Sequence, residues 1–206
     1  ITGIENAIGG RITYQYDGAG NVGVIQDLLA RPTTYMFDGA NRLTEVQDLV
    51  ARITYGYDTG GNLALLIDGL GNRTTYVSDL LDRQTGMIDA LNRRTTWTYN
   101  LDNQLLTVAE PGNRVTSYTY TTENWLQTIQ GPTGAFVTYS YDSAGNLETI
   151  LDALGGRVTY VYDLLNRQTG VVDPLGRRTT TTWTTADDIA TVTNPRGEIT
   201  TYTYDN

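Results

Sequence analysis

Short runs of alternating apolar and polar residues recur along the chain, each followed by a cluster of Gly, Asn or Asp. Arg157-Val158-Thr159-Tyr160-Val161-Tyr162-Asp163 is representative. Alternation puts Val158, Tyr160 and Tyr162 on one face and Arg157, Thr159, Val161 and Asp163 on the other, the period of a half-buried strand. The same i, i+2 tyrosine pair occurs at 14/16, 55/57, 118/120, 139/141, 160/162 and 202/204. The last residue of each run marks a beat. Tyr16, Phe37, Tyr57, Ser78, Tyr99, Tyr120, Tyr141, Tyr162, Trp183 and Tyr204 lie 21 residues apart, with one 20-residue step between Phe37 and Tyr57. A period this short predicts one supersecondary unit copied along the chain.

Let the beat be position 0. Position +4 is always Gly, Asn or Asp: Gly20, Asn41, Gly61, Asp82, Asn103, Asn124, Gly145, Asn166 and Asp187. These residue types tolerate positive φ, so the restriction predicts a hairpin turn with one left-handed residue. The Asp common at +1 is suited to bonding the turn amides. Position +14 carries Gly71, Asn92, Asn113, Gly134, Gly155, Gly176 and Gly197, with Ala30 and Ala51 as departures, and predicts a second reverse turn. Between the turns, +9 is always apolar and +6 mostly so. The two have opposite parity, which requires either a bulge or burial of both faces.

Each unit thus reads as strand, turn, strand, turn, and the chain as about twenty strands joined by tight reversals, hence antiparallel neighbours. A flat sheet of that many strands would be on the order of 95 Å wide, and sheets of that width twist. The predicted fold is all-β: an antiparallel repeat array of 21-residue units forming a spiralling, hollow or tubular β-sheet. Residues 1–206 read as a single array of about ten units. A super-repeat of 84 residues, 53–136 and 137–206, lies above the short period, with about 28 of 48 positions identical between 53–100 and 137–184. Ile1-Thr2-Gly3-Ile4 aligns with Gln168-Thr169-Gly170-Val171 inside a unit, and Tyr204-Asp205-Asn206 stops inside a turn, so the sequence reads as a segment of a longer chain.

Composition narrows the chemistry. The net charge of −9 disfavours nucleic acid and acidic membrane surfaces as partners. There is no Cys and no His, which removes disulfides, thiolate chemistry, the commonest general base and the commonest metal ligand. All 14 basic residues are Arg. No stretch has the length and polarity of a membrane span. Asp187-Asp188 would pose as paired carboxylates, but they stand where other units have a turn. The aspartates at +1 and +11 would line up along a stack, yet their ten-residue spacing suits turn capping better than a calcium loop. Arg73, Arg93, Arg114, Arg157 and Arg177 are placed to pair across strands with those aspartates. No catalytic residue, metal site or cofactor is expected.

Tyr16-Asp17 with Gly20-Asn21, Tyr57-Asp58 with Gly61-Asn62-Leu63, Tyr141-Asp142 with Gly145-Asn146-Leu147, and the later Asp152/Gly155 and Asp173/Gly176 resemble the YD repeat of the rearrangement-hot-spot (Rhs) family. The units at 78, 99, 120 and 183 are degenerate. The resemblance covers essentially the whole chain. It implies a long β-sheet spiral. In bacterial polymorphic toxins and in insecticidal toxin complexes such spirals close into hollow shells around a toxic domain; in teneurins a similar shell serves adhesion. The family's shell-closing segment, with its self-cleaving aspartates, has no matching residues here, so the resemblance extends to shell wall alone. The expected function is structural: wall of a secreted or cell-surface assembly, bacterial in origin. A toxin-encapsulating cocoon is the first reading and a surface filament or adhesin, with glycan stacking on the tyrosines, the alternative. The expected partners are further repeats of the same chain or copies of it, an encapsulated toxin domain, or a surface glycan.

Overall fold

A computed structural model of the chain describes residues 2–5 and 9–205. Ile1 and Asn206, where the sequence register opens and stops, lie outside the described residues. By its contacts the chain divides into two units, one chiefly of residues up to Thr98 and one chiefly of residues from Asn113 onward.

The first unit contains β1 (Gly3–Glu5), β2 (Arg11–Tyr16), β3 (Val22–Gln26), β4 (Pro32–Phe37), β5 (Leu43–Gln47), β6 (Arg52–Tyr57), β7 (Leu63–Ile67), β8 (Arg73–Ser78), β9 (Gln84–Ile88) and the start of β10 (Arg94–Tyr99). Each pairs antiparallel with the next. β11 (Leu105–Glu110) follows. The second unit contains β12 (Arg114–Tyr120), β13 (Leu126–Gln130), β14 (Phe136–Tyr141), β15 (Leu147–Leu151), β16 (Arg157–Tyr162), β17 (Gln168–Val172), β18 (Arg178–Trp183), β19 (Ile189–Thr193) and β20 (Ile199–Thr201), again paired in order. Among the described residues there is no helix, and so none long and apolar enough to cross a membrane. The protein is an all-β antiparallel array of strand–turn–strand–turn units.

In most repeats the two turns are built the same way; the turn after Glu110 differs, with Gly112 and Asn113 both left-handed at φ +83° and +60°. Between β2 and β3, the N–H of Gly20 donates to the carbonyl of Asp17, and the N–H of Asp17 donates to the carbonyl of Asn21. Between β3 and β4 the bonds are Ala30 N–H to Asp27 O and Asp27 N–H to Arg31 O. In both, the first Asp turns its Oδ1 onto two amides: Ala19 and Asn21 for Asp17, Leu29 and Arg31 for Asp27. The fourth residue is left-handed, φ +87° at Gly20 and +58° at Ala30. Ala30 is therefore the same turn residue in a less suitable side chain. Replacing Ala30 by Gly should raise stability by about 0.5–1 kcal/mol, read as a higher urea midpoint.

Ala51 is different. Asp48 N–H donates to Ala51 O, closing the turn one residue sooner, and Ala51 is not left-handed. Gln47 pairs with Arg52, whereas Gln26 pairs with Pro32, so Ala51 occupies the position of Arg31 and the left-handed residue is the one deleted. This accounts for the 20-residue step between Phe37 and Tyr57. The next turn packs closely on the short one: a Cβ on Gly69 would lie 2.6 Å from the Cβ of Ala51.

A bulge resolves the parity conflict. Tyr55 faces Leu66 and Gly56 faces Leu65, but Tyr57 faces Leu63, leaving Ala64 as the extra residue. The shift recurs at the same place in the corresponding ladders from β2–β3 to β8–β9 and from β12–β13 to β18–β19, for example at Gly23, Gln127 and Glu148. Skipping +7 turns +6 onto the face of +9. One face thus collects the tyrosines at −2 and 0 with the aliphatics at +6 and +9, as in the pairs Tyr139–Ile150 and Tyr141–Leu147. The other face is rich in Thr, with hydroxyl pairs such as Ser140–Thr149 and Thr182–Thr191 at 2.7 Å. On that face size is matched across strands: Val77 faces Gly86, Val161 faces Gly170, and Gly56 faces Leu65.

Among the described residues no apolar side chain is buried. Each unit is a single sheet with no second layer packed on it, and most ladder rings are half-buried by their neighbours along the sheet. Glu45 is the exception to the polar surface, 6% exposed and paired with Arg52.

Candidate functional site: the clasp between repeats

With no core to join them, successive units are held by backbone ladders and by a recurring set of side chains at one edge. The ladder between β5 and β6 stops at Glu45–Thr54, so the start of β5 and the end of β6 are not paired with each other. Tyr57 bridges that seam by donating its hydroxyl to the carbonyl of Leu43 at 2.8 Å. Tyr120, Tyr141, Tyr162 and Tyr204 donate in the same way to Leu105, Leu126, Leu147 and Ile189, at 2.9–3.0 Å. Trp183 substitutes its indole N–H, 3.0 Å from Gln168 O. The residue at 0 therefore grips the carbonyl at +6 of the preceding unit. Partial burial pushes the phenols of Tyr120, Tyr141 and Tyr162 above their ordinary value, consistent with rings that keep the proton they donate. Phe37 and Ser78 close their strands without a phenol, and Tyr16 and Tyr99 hold the same strand-end position.

Tyr162→Phe tests one grip. It removes a hydroxyl and leaves Leu147 O without its donor, so it should cost about 1 kcal/mol, seen as a lower urea midpoint at unchanged slope.

Position +5 supplies the second grip, onto the next turn. Asn21 Nδ2 donates to Asn41 Oδ1 at 3.0 Å, Asn62 to Asp82 at 2.7 Å, and Asn146 to Asn166 at 2.8 Å. Arg167 reaches Asp187 at 2.6 Å, and Gln104 reaches the carbonyl of Asn124 at 2.9 Å. The acceptor side chain is the left-handed residue at +4 of the following unit. Where that residue is Gly, a flat group at +5 lies on the next aromatic instead: the Arg42 guanidinium is 4.6 Å from the Tyr57 ring centre, and Trp125 is tilted 45° at 5.1 Å from Tyr141. Arg167 does both, lying 5.6 Å from the Trp183 ring.

The residues singled out from sequence fall as follows. Gly20, Asn41, Gly61, Asp82, Asn103, Asn124, Gly145, Asn166 and Asp187, with Gly71, Gly134, Gly155, Gly176 and Gly197, all have φ between +58° and +95°. Asp187 is thus a turn residue, and Asp188 closes that turn through its backbone to Thr184, so the adjacent carboxylates do not converge on a site. The turn aspartates are committed to capping. Asp17, Asp68 and Asp142 are held below the usual carboxylate range first by the side-chain amides of Asn21, Asn72 and Asn146. The guanidinium groups of Arg31, Arg83 and Arg167 do the same for Asp27, Asp79 and Asp163. Among the described residues no three acidic side chains gather as a metal set. Arg93 and Arg177 pair with Asp89 and Asp173 within their own turns, at 2.7 and 2.6 Å, and not across strands. Position +5 stands out in the sequence only where it is Asn, as in Gly20-Asn21, Gly61-Asn62 and Gly145-Asn146; its grip on the next unit shows as a match between +5 of one unit and +4 of the next.

Residues 141–178 match the family model described as RHS repeat. No curated protein matches the chain. Among solved structures the chain is similar to TcdB2-TccC3 without its hypervariable C-terminal region, with TM-score 0.57, 16% identity, and coverage of 95% of this chain and 13% of that one. It is also similar to TcdB2-TccC3-Cdc42, with TM-score 0.57, 11% identity, and coverage of 93% and 13%. A third is the Photorhabdus luminescens Tc holotoxin pore, with TM-score 0.56, 13% identity, and coverage of 89% and 13%. At these identities the likeness is one of fold, and the chain spans a small fraction of the length of those proteins.

Proposed function

We infer that this chain of YD/RHS repeats is a structural segment, forming wall in a larger secreted or cell-surface bacterial assembly of the toxin-cocoon kind. The observation that carries the reading is the fold likeness to Tc toxin proteins over 89–95% of the chain, joined to the RHS match at 141–178. The geometry supports it. A single sheet with no buried apolar side chain among the described residues, whose units are clasped end to end, is suited to enclosing or spanning space. His and Cys are absent and most of the aspartates are tied into turns, which supports a non-enzymatic role. In this reading the array is one stretch of a spiral, its partners are further repeats of the same kind, and an enclosed toxin domain is the cargo.

Negative-stain images of the native assembly test this. Closed hollow particles of uniform size are expected. Fibres of variable length would overturn the cocoon in favour of a surface filament.

A further inference from the structure

The two edges of the sheet in the first unit are built from the same turn but decorated differently. Along the edge of the +1 turns, the two tip residues are Gly18-Ala19, Gly39-Ala40, Thr59-Gly60 and Leu80-Leu81. Along the opposite edge they are Leu28-Leu29, Leu49-Val50, Gly69-Leu70 and Ala90-Leu91. Since the hydrogen bonding of the two turns is the same wherever both are complete, backbone conformation does not call for leucine at the second edge. Nor does packing within the chain: Leu29, Val50, Leu70 and Leu91 are 70, 92, 89 and 72% exposed. Turn tips are ordinarily small or polar, and a row of solvated leucine along four consecutive turns has an energetic cost unless something covers it.

We propose that this leucine edge is an interaction surface whose partner is the same edge of a second copy of the chain. Three observations fit that occupant. First, the row is regular. Successive tips are two strands apart, about 10 Å, which leaves gaps that the leucines of an opposing row fill at van der Waals distance. A row that repeats in this way is complementary to itself about a two-fold axis. Second, the two central turns of the row touch, the Gly69 turn lying against the Ala51 turn with no room for a Cβ between them. At two strands per tip the four tips span about 30 Å. The row's exposed apolar area is of the several-hundred Å² size that marks interaction surfaces. Third, the acidic groups beside the leucines are turned away from an approaching edge. Asp27, Asp48, Asp68 and Asp89 each direct Oδ1 onto two amides of their own turn, one of them in each case that of the exposed tip residue itself, Leu29, Val50, Leu70 or Leu91. Asp27 and Asp89 are further paired with Arg31 and Arg93. Two such edges meet through leucine rather than through like charge, despite a net charge of −9 per chain. The inference rests on this edge alone and holds whether the larger assembly is a shell or a filament.

Sedimentation equilibrium of the full chain tests it. The wild type should self-associate in the micromolar range. Replacing Leu29, Val50, Leu70 and Leu91 by Asp should weaken association by about a hundredfold or more while the far-ultraviolet dichroism stays unchanged. Leu80→Asp with Leu81→Asp, equally apolar tips on the other edge, should leave association as it was. Because the chain has no Cys, Leu70→Cys gives a second readout that keeps the edge intact: mild oxidation should yield a covalent dimer, and Leu80→Cys should not. A monomeric wild type would overturn the proposal. So would equal loss of association in both Asp variants, or equal cross-linking through both cysteines.

Discussion

Gly145→Val is expected to destabilise the second unit by about 3 kcal/mol, among the largest effects of any single substitution in the chain. Two costs combine. Gly145 has φ +88°, where a β-branched residue is strained, and the new Cβ would lie 2.7 Å from the Trp125 ring. That ring cannot simply swing away, because it is tilted on Tyr141, whose hydroxyl clasps Leu126. The clasp also supplies a rescue. Gly145→Asn alone should cost about 1 kcal/mol, since Asn tolerates the left-handed conformation but still meets Trp125. Adding Trp125→Asn recreates the Asn21–Asn41 arrangement found elsewhere in the chain, and should recover most of that loss. Urea unfolding of the four members of this cycle, followed by far-ultraviolet dichroism, measures the coupling, since Trp97 and Trp183 would contribute to any indole signal. Additive effects would show that +5 and the next +4 do not interact.

Acid should unfold this protein more steeply than an ordinary β-sheet protein of its size. Besides the six aspartates described above, Asp38, Asp48, Asp58 and Asp89 are held low, first by the backbone N–H groups of Arg42, Val50, Asn62 and Arg93. In every case the folded state holds the carboxylate below its unfolded value, so the unfolded chain binds more protons as the pH falls. The stabilisation is complete above about pH 4.5, just over the unfolded value, and is lost progressively as pH drops through the folded values. Thermal melts between pH 7 and pH 2 should show a midpoint that is level to about pH 4.5 and then collapses with uptake of several protons. Salt at neutral pH should matter little, because most of these caps are hydrogen bonds to amides, and the ion pairs are short-range contacts within a turn, some of them partly buried. Substituting Asn for Asp at several +1 positions should flatten the acid limb without removing the turns. Asn100 already caps such a turn through Oδ1, accepting from Asp102 and Gln104. An acid limb unchanged by those substitutions would refute the assignment.

The turns were legible in the sequence because backbone conformation leaves a residue-level mark: a position needing positive φ admits few side chains, and Gly20, Asn41 and Asp82 declare themselves. Strand alternation was legible for the same reason, period two being a property of the extended chain. The bulge was visible only as a conflict between +6 and +9, since the residue it extrudes at +7 can be Gly, Ala, Thr, Gln or Glu. The deleted turn residue before Ala51 was hidden, because Asp48-Leu49-Val50-Ala51-Arg52 imitates Asp27-Leu28-Leu29-Ala30-Arg31 almost letter for letter and differs only in register. The tyrosine clasp was beyond reach, its acceptor being a backbone carbonyl. The tyrosine stripe also looks like a core stripe, and nothing in its pattern says that the rings pack sideways within one sheet and not against a second layer.

Hydrogen–deuterium exchange, resolved by overlapping peptides, tests most directly whether the chain is a linear array in which every unit is held alike. Protection should recur every 21 residues, high across paired strands and low at the tips +2, +3, +12 and +13, with both turns of each repeat behaving alike. Protection confined to one contiguous block, with the remaining repeats exchanging as open chain, would contradict the account.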